Sequence, residues 1–232
     1  MRNSQRAILG LLGVIVALMV VIAVWVRATA PDPLELSGER TTRTYDYTDF
    51  DGVDVNGQWQ VTIERGDAWR VSVEVPAEVI GRVSVERIGN ELVLQSPWWL
   101  GDFDRAGGAV RANITMPALE ALDLSGSTRL SFSGFDGSAL SVDTSGGVEV
   151  RGAASRFDTL TLDLSGAGNI NLADVPVTDA DVDISGAASV TLRMAGGRLT
   201  GDLSGAANLE YFGTVSEESI DKSGFVNVRK RN

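Results

Sequence analysis

From about Leu119 to Val228, apolar and polar residues alternate around a short phrase that occurs six times. In each copy an aspartate stands two residues before a Ser-Gly pair, and the pairs begin at residues 125, 145, 165, 185, 204 and 223. The spacing is 20 residues for three intervals and 19 for two. A fixed period of about 20 residues is typical of solenoids, in which each repeat forms one coil that stacks on the next.

The alternation within a repeat predicts strand, corner, strand. Leu162 and Leu164 flank Asp163 before the corner at Ser165, and Ile170 stands five residues after that serine. Alternation of this kind is typical of half-buried strands, and the glycine suits a sharp corner. We expect successive coils to pair as parallel strands about 4.8 Å apart, with apolar side chains directed inward.

The predicted fold is therefore all-β: a single-domain parallel β-helix, or β-solenoid, of roughly 20-residue coils. It covers residues 45–232, with irregular coils over 45–118 and regular coils over 119–228. In the irregular part, Val53, Val55, Val61 and Ile63 still alternate around Asn56-Gly57. The stretch from Ala173 to Asp179 lacks the repeat and is predicted to be a surface loop.

The N-terminal part predicts a membrane anchor. The 19 residues from Ile8 to Val26 carry no charge, and as a helix they span about 28 Å, close to the hydrocarbon thickness of a bilayer. Arg2 and Arg6 precede this run, which predicts a cytoplasmic N-terminus. Residues 1–27 are thus predicted to form a cytoplasmic stub and a transmembrane helix, and residues 28–44 a linker. The alternative is a cleaved signal peptide.

Composition excludes several classes of site. The chain has no cysteine and no histidine, which removes disulfides, thiolate metal sites and the commonest general base. The net charge is −11, and residues 28–232 alone carry 17 basic and 31 acidic residues, a net charge of −14. Such a domain repels nucleic acid, so we predict no nucleic-acid partner. We also predict no cofactor, no metal and no catalytic residues, because no catalytic motif is present.

Several pieces of the sequence occur in an order that resembles a known family. They are the opening Phe50-Asp-Gly-Val53, a Val61-Thr-Ile63 strand, the central Pro117-Ala-Leu119 and the tandem Ser-Gly phrases. Together, over about residues 45 to 228, they resemble the putative auto-transporter adhesin family with the head GIN domain. The resemblance implies a parallel β-helix-like fold in bacterial envelope proteins and no established activity.

One aspartate recurs at the same position of every repeat. We call this set the aspartate column; it consists of Asp54, Asp123, Asp143, Asp163, Asp183, Asp202 and Asp221. Like charges about 5 Å apart repel, so something must offset the repulsion. One hypothesis is bound Ca²⁺, because carboxylates are hard ligands. The favoured hypothesis is that each aspartate accepts hydrogen bonds from the serine or from backbone N–H groups of its own corner.

Two further features suggest contact surfaces. Trp98, Trp99 and Phe103 are three large aromatic residues within a short Gly-bearing stretch, which predicts either an interaction loop or a lid over the hydrophobic core. The outward asparagine and serine positions are able to hydrogen-bond sugars, although polar ladders between coils are the commoner use.

The sequence as a whole predicts a single-pass protein of the bacterial cytoplasmic membrane whose domain is periplasmic or extracellular. Its predicted partners are the lipid bilayer through residues 8–26 and an envelope protein or glycan. The predicted role is non-enzymatic, either adhesin-like binding or scaffolding. The alternatives are a polysaccharide-acting enzyme on a parallel β-helix and an envelope sensor or accessory subunit.

Overall fold

The computed structural model describes residues 39–97 and 110–231. In this part the chain forms eleven strands and one short 3₁₀ helix over Ala77–Arg82. The strands are β1 (Arg40–Tyr45), β2 (Gly52–Arg65), β3 (Arg70–Pro76), β4 (Ser84–Ile88), β5 (Glu91–Gln95), β6 (Val110–Met116), β7 (Ala121–Ser133), β8 (Asp136–Ala153), β9 (Arg156–Ala195), β10 (Arg198–Thr214) and β11 (Glu217–Lys230).

These strands form one mixed sheet with the order β1-β3-β6-β2-β7-β8-β9-β10-β11. From β2 to β11 the neighbours in this order are parallel, whereas β3 is antiparallel to both β1 and β6. Strand β5 lies off the path: it is antiparallel to β4 and parallel to the first half of β2. The sheet is therefore built from two regions that differ in strand direction and that meet at β2.

In the parallel region, each repeat pairs with the next at an offset equal to the sequence period. Ser125 pairs with Ser145 and Ser145 with Ser165, so the Ser-Gly pairs lie in one column. The inward positions are fully buried, as in Leu162, Leu164 and Ile170, each at most 1% exposed. Because side chains alternate along a strand, this register places every apolar position of successive repeats in a shared core.

The column of glycines at the corners is set by backbone packing. Gly166 has φ of +129°, and a Cβ atom there would lie 2.6 Å from the carbonyl oxygen of Gly146. At Gly186 the corresponding distance, to the carbonyl oxygen of Gly166, is 2.0 Å. Both the positive φ and the close approach exclude larger residues. The corners therefore stack backbone on backbone, and this fixes the register of the repeats.

The second region, residues 40–116 apart from β2, has no such column. Strand β3 supplies Val71, Val73 and Val75, all at most 2% exposed, to the core between β1 and β6. Strands β4 and β5 form a tight hairpin with Gly89 at φ of +65°. Reversals of this kind give antiparallel neighbours, which require only short connections.

The predicted fold class is wrong in two respects. The sequence predicts a single parallel β-helix over residues 45–232, but the structure is an open, mixed sheet in which three strand pairs are antiparallel. The physical reason is that the 20-residue period holds only from β7 onward. Before β7, strand β3 runs antiparallel to β1 and β6, and β4 and β5 form a hairpin, so these strands do not continue the parallel stacking of repeats.

The predicted loop from Ala173 to Asp179 is also wrong. It lies within β9, with Val175 and Val177 buried at 0% and 1% exposure. This part of β9 thus contains a further extended stretch beyond the two that the sequence pattern indicates. Strand β1 begins at Arg40, inside the predicted linker of residues 28–44. The domain boundaries themselves stay a prediction.

The predicted transmembrane helix over Ile8 to Val26 lies outside the described residues. Within residues 39–97 and 110–231 there is no helix long and apolar enough to cross a bilayer.

Candidate binding groove

A groove of about 450 Å³ runs across the outer surface of the parallel region, beside the Ser-Gly corners. Its lining residues stand two to four positions after the corner serine, or after Asn56 in β2, and come from successive repeats. They include Gln58, Gln60, Ser127, Arg129, Gly147, Glu149, Ala167, Asn169 and Ala187. The volume lies within the range of small-molecule and cofactor sites.

The shape of the groove follows from one small position in each repeat. The residue after the Ser-Gly pair is Ser127, Gly147, Ala167 and Ala187 in the four successive repeats, and each is exposed. With no large side chain at this position, the surface beside the corners stays low. Two residues further on stand Arg129, Glu149 and Asn169. The groove therefore has a floor of small residues and one wall of polar side chains, because neighbouring repeats place equivalent positions side by side.

The polar wall contains an ion pair between Arg129 and Glu149. The Nε atom of Arg129 lies 3.0 Å from Oε2 of Glu149, and the two side chains are 63% and 41% exposed. Arg151 reaches the other carboxylate oxygen of Glu149 at 3.7 Å. Exposed pairs of this kind contribute at most about 1 kcal/mol, so their donors and acceptors remain available to a ligand.

Trp59 lies beneath the end of the groove that β2 forms. Its side chain is 2% exposed, and Nε1 donates a hydrogen bond to the carbonyl oxygen of Asn56 at 3.1 Å. The indole is therefore part of the core and gives no exposed face for stacking on a ligand. Thr128, which also lines the groove, is 3% exposed, and its Oγ1 has no hydrogen-bond partner among the described residues.

The aspartate column is present as a row of register partners. Asp54 pairs with Asp123, Asp123 with Asp143 and Asp143 with Asp163. At the other end of the column, Asp202 pairs with Asp221. The carboxylates therefore follow one line across the sheet, next to the column of serines.

The hydrogen bonds of these aspartates differ in part from the expectation. Oδ1 of Asp183 accepts from the backbone N–H of Asp202 at 2.8 Å, so the donor belongs to the next repeat and not to the aspartate's own corner. Oδ1 of Asp54 accepts from the side-chain amide of Asn56, 2.7 Å away. Within the described residues, no group of three or more carboxylates is placed to hold a metal ion.

Burial and mutual repulsion perturb the carboxyl groups at the β2 end of the column. Burial first, then the charges of Asp123 and Glu91, raise the pKa of Asp54 to about 6, although the hydrogen bond from Asn56 opposes the shift. Burial and the charge of Glu91 also raise the pKa of Asp123. Burial and the neighbouring Asp143 and Asp183 raise that of Asp163. The column is thus electrostatically unfavourable at neutral pH, most strongly at Asp54.

The predicted interaction loop of Trp98, Trp99 and Phe103 lies outside the described residues, so its role stays a prediction. The same holds for contact of residues 8–26 with a bilayer. The repeat period places Arg129, Glu149 and Asn169 at one equivalent position, but it does not identify the groove. The signal that would have revealed it is the small residue after each Ser-Gly pair, which leaves space beside the polar positions.

A family model described as putative auto-transporter adhesin, head GIN domain, matches residues 49–215, which is more than half of the chain. The chain belongs to this family. The sequence resemblance is thereby confirmed. The match includes β2 and most of the parallel region, and hence every residue that lines the groove. No curated protein matches the chain.

Three solved structures are similar to this head GIN domain to different degrees. A putative adhesin from Bacteroides fragilis has a TM-score of 0.64 and 14% identity, covering 86% of this chain and all of its own. A putative lipid binding protein from Parabacteroides distasonis has a TM-score of 0.47 and 16% identity, covering 86% of this chain and 99% of its own. A putative adhesin from Parabacteroides merdae has a TM-score of 0.46 and 14% identity, with the same coverage. The first likeness shows a shared fold.

Proposed function

We propose that this domain is a non-enzymatic, adhesin-like binding module of the bacterial envelope, and that the groove binds an extended glycan. The observation that carries the proposal is the groove itself, with its low floor and its wall of polar side chains from successive repeats. Family membership supports an adhesin-like role and a location outside the cytoplasm.

The chemistry of the groove suits a sugar better than an apolar ligand. Arg129 donates, Glu149 accepts, and the amides of Gln60 and Asn169 do both. The hydroxyl groups of a glycan also act as both hydrogen-bond donors and acceptors, so they match the mixed donors and acceptors of the groove wall. The repeats are about 4.8 Å apart, close to the length of one sugar ring, so an extended chain would meet equivalent polar groups at each residue.

The experiment is a pair of matched substitutions that test the groove. Ala167→Trp places a large side chain on the floor, where the native residue is exposed, and is expected to abolish glycan binding. Ala206→Trp places the same side chain at the equivalent position of β10, beyond the groove lining, and is expected to bind as the wild type does. Binding is measured on an array of linear bacterial and host glycans and by calorimetry with any oligosaccharide retained.

Two results would overturn the proposal. One is that no glycan on the array binds, and the other is that Ala167→Trp binds as tightly as Ala206→Trp. Equal melting temperatures for the two variants show that the loss comes from the groove and not from unfolding.

A polysaccharide-acting enzyme is the second candidate, and one observation favours it. Asp54, whose pKa is raised to about 6, is the register partner of Asp123, and a pair of neighbouring carboxyl groups is the arrangement of glycoside hydrolases. Neither residue lines the groove. Reducing-end assays on any bound polysaccharide decide between the two: turnover that Asp54→Asn abolishes establishes the enzyme.

A further inference from the structure

The two ends of the sheet are protected very differently. At one end of the strand order, β1 has six residues and includes Arg40 and Arg43. At the other end, β11 has fourteen residues and, among the described residues, pairs only with β10. A long unpaired edge presents main-chain N–H and C=O groups to any strand that fits it, and proteins usually shorten or cover such edges.

The same strand carries the most exposed large apolar side chain among the described residues. Phe225 is 90% exposed, and it occupies the position after the Ser-Gly pair. The equivalent residues of the earlier repeats are all small: Ser127, Gly147, Ala167, Ala187 and Ala206. Among the six repeats that contain a Ser-Gly pair, only the last has a large residue at this position, and that residue is aromatic. Because Phe225 lies beside an unpaired strand edge, a strand that added to this edge would cover its ring.

We propose that β11 pairs antiparallel with β11 of a second copy of this chain, about a two-fold axis that passes through Gly224. The corner of the strand lies on the axis, so each arm of one copy lies against the opposite arm of the other. Such an interface is isologous, with the same surface contributed by both copies. Phe225 of each copy then lies opposite Ser223 and diagonal to the other Phe225, within reach of aromatic contact.

The main-chain hydrogen-bonding pattern permits this register. Arg231 donates its N–H to the carbonyl oxygen of Tyr211 in β10, and Ser141, equivalent to Ser219 of β11, donates to the preceding repeat. The direction of the main-chain N–H and C=O groups alternates from one residue of a strand to the next. Ile220, next to Ser219, and Val228, an odd number of residues before Arg231, therefore direct these groups away from β10. The two-fold at Gly224 places Ile220 of one copy opposite Val228 of the other, as an antiparallel hydrogen-bonded pair requires.

Charge along β11 selects the antiparallel orientation. The first arm contains Glu217, Glu218 and Asp221, and the second arm ends with Arg229 and Lys230, followed by Arg231. In the proposed register, Glu218 of each copy lies opposite Lys230 of the other, and Glu217 opposite Arg231. Both pairs occur twice because of the symmetry. Complementary charge of this kind fixes orientation and register more than it adds affinity.

Lys222 limits the strength of the interface. It occupies the position of Leu203 in β10, which is buried, but in β11 the residue is exposed. Pairing would bring it opposite Val226 of the second copy and remove part of its hydration, which is costly for an ammonium group. The association is therefore weak and reversible, and the exposed edge does not cause irreversible aggregation.

Residues 98–109 are too short to cover this edge from within the chain. They connect β5 with β6, and both of these pair with β2. Strand β2 lies about 29 Å from β11, six strand spacings in the sheet order with two repeats in β9. A path out and back needs about 58 Å, whereas thirteen peptide steps reach about 44 Å. The occupant of the edge must come from elsewhere.

Cysteine crosslinking tests the register, because the native chain contains no cysteine. Ser219 and Arg229 are both exposed and lie opposite each other across the proposed interface. The full-length variants Ser219→Cys and Arg229→Cys, in mild detergent, are expected to form a disulfide-linked dimer when mixed and none when alone. Ser219→Cys mixed with Thr161→Cys, an exposed residue of β9, is the control and gives no crosslink.

Two sets of variants test what holds the interface together. Phe225→Ala is expected to weaken dimerisation at least tenfold in analytical ultracentrifugation with an unchanged melting temperature, and Ile88→Ala, at 59% exposure on β4, to have no effect. Glu218→Lys and Lys230→Glu are each expected to weaken self-association, and their mixture to restore it, because both charge pairs are then attractive again.

The proposal is wrong if the Ser219→Cys and Arg229→Cys mixture gives no more crosslink than the control. It is equally wrong if the full-length protein is monomeric at high concentration, as it would be if residues 1–38 covered β11. Self-association that survives Phe225→Ala and does not respond to the charge exchange would also overturn it.

Discussion

The parallel region and the antiparallel region of this sheet reach the same burial by different means. In the parallel region, the corner glycines of successive repeats pack main chain against main chain, and this packing fixes the strand register. In the antiparallel region, β3 pairs with β1 and β6, two strands that are distant from it in sequence, and buried side chains such as Val73 and Val75 stabilise the pairing. The first region depends on a few backbone positions, whereas the second depends on many side chains that each contribute a little.

This difference predicts the largest effect at a stacked corner. Gly186→Ala introduces a Cβ atom 2.0 Å from the carbonyl oxygen of Gly166, at φ of +154°. Because the neighbour is main chain of the preceding repeat, it cannot rotate away, and we expect the free energy of unfolding to fall by about 4 kcal/mol or more. The control is Gly81→Ala, where a Cβ atom meets nothing within 4 Å. Chemical denaturation of both variants measures the contrast, and equal stabilities would refute the stacking argument.

Matched core substitutions test whether the two regions unfold together. Ile170 in β9 and Ile114 in β6 are at most 2% exposed, and alanine at either position should cost about 2–5 kcal/mol through lost burial and a cavity. Because β2 joins both regions through pairing with β6 and β7, we expect one shared transition that both variants shift. If calorimetry and hydrogen exchange show that Ile114→Ala loosens only residues 40–116, the two regions are separate cooperative units.

Thr144 is a position where the parallel region departs from its own pattern. Its register partners Leu124 and Leu164 are apolar, but Thr144 is 1% exposed, and its Oγ1 has no hydrogen-bond partner among the described residues. A buried hydroxyl without a partner is unfavourable, so Thr144→Val should raise the free energy of unfolding by about 1 kcal/mol. Thr161→Val, at an exposed position of β9, should change little. A destabilised Thr144→Val would show that the hydroxyl has a partner after all.

The smallest effect is a pH dependence at the strand shared by the two regions. Burial, followed by the charges of Asp123 and Glu91, raises the pKa of Asp54 from its ordinary value of about 4 to about 6. The folded state therefore disfavours the charged form, and stability from this group is lost as the pH rises from about 4 to about 6. Asp54→Asn should be more stable than wild type at pH 7.5 and no different at pH 4. Asp221→Asn at β11 is the control. If the stability of Asp54→Asn changed with pH in the same way as that of the wild type, the assignment of the pKa shift to Asp54 would be contradicted.

The sequence predicts the parallel region better than the antiparallel region. In the parallel region, the Ser-Gly period gave the strand register, the buried Leu162 and Leu164 and the corner glycines, because a repeated pattern constrains backbone geometry directly. It did not reveal that Val175 and Val177 extend the strand beyond the corner arms, since Pro176 between them indicates a turn. In the antiparallel region, direction is decided by hairpins and long-range pairing such as β1 with β3, which no local pattern encodes.

Part of the groove could be predicted from the sequence. The positions of Arg129, Glu149 and Asn169 follow from the period, but the open space beside them depends on the depth of the neighbouring small residues. That depth is a property of packed strands in three dimensions. The raised pKa of Asp54 likewise depends on burial and on the charges of Asp123 and Glu91. Glu91 comes from β5, which has no fixed sequence distance from the column.

Because each repeat of the parallel region touches only the one before it and the one after it, its number of rungs is free to vary. Duplication of a single 20-residue unit between two corners would insert one more layer, lengthen the groove by about 4.8 Å and leave both terminal strands as they are. The length of ligand that such a domain accommodates is therefore a quantity that evolution, or an engineer, adjusts in whole steps.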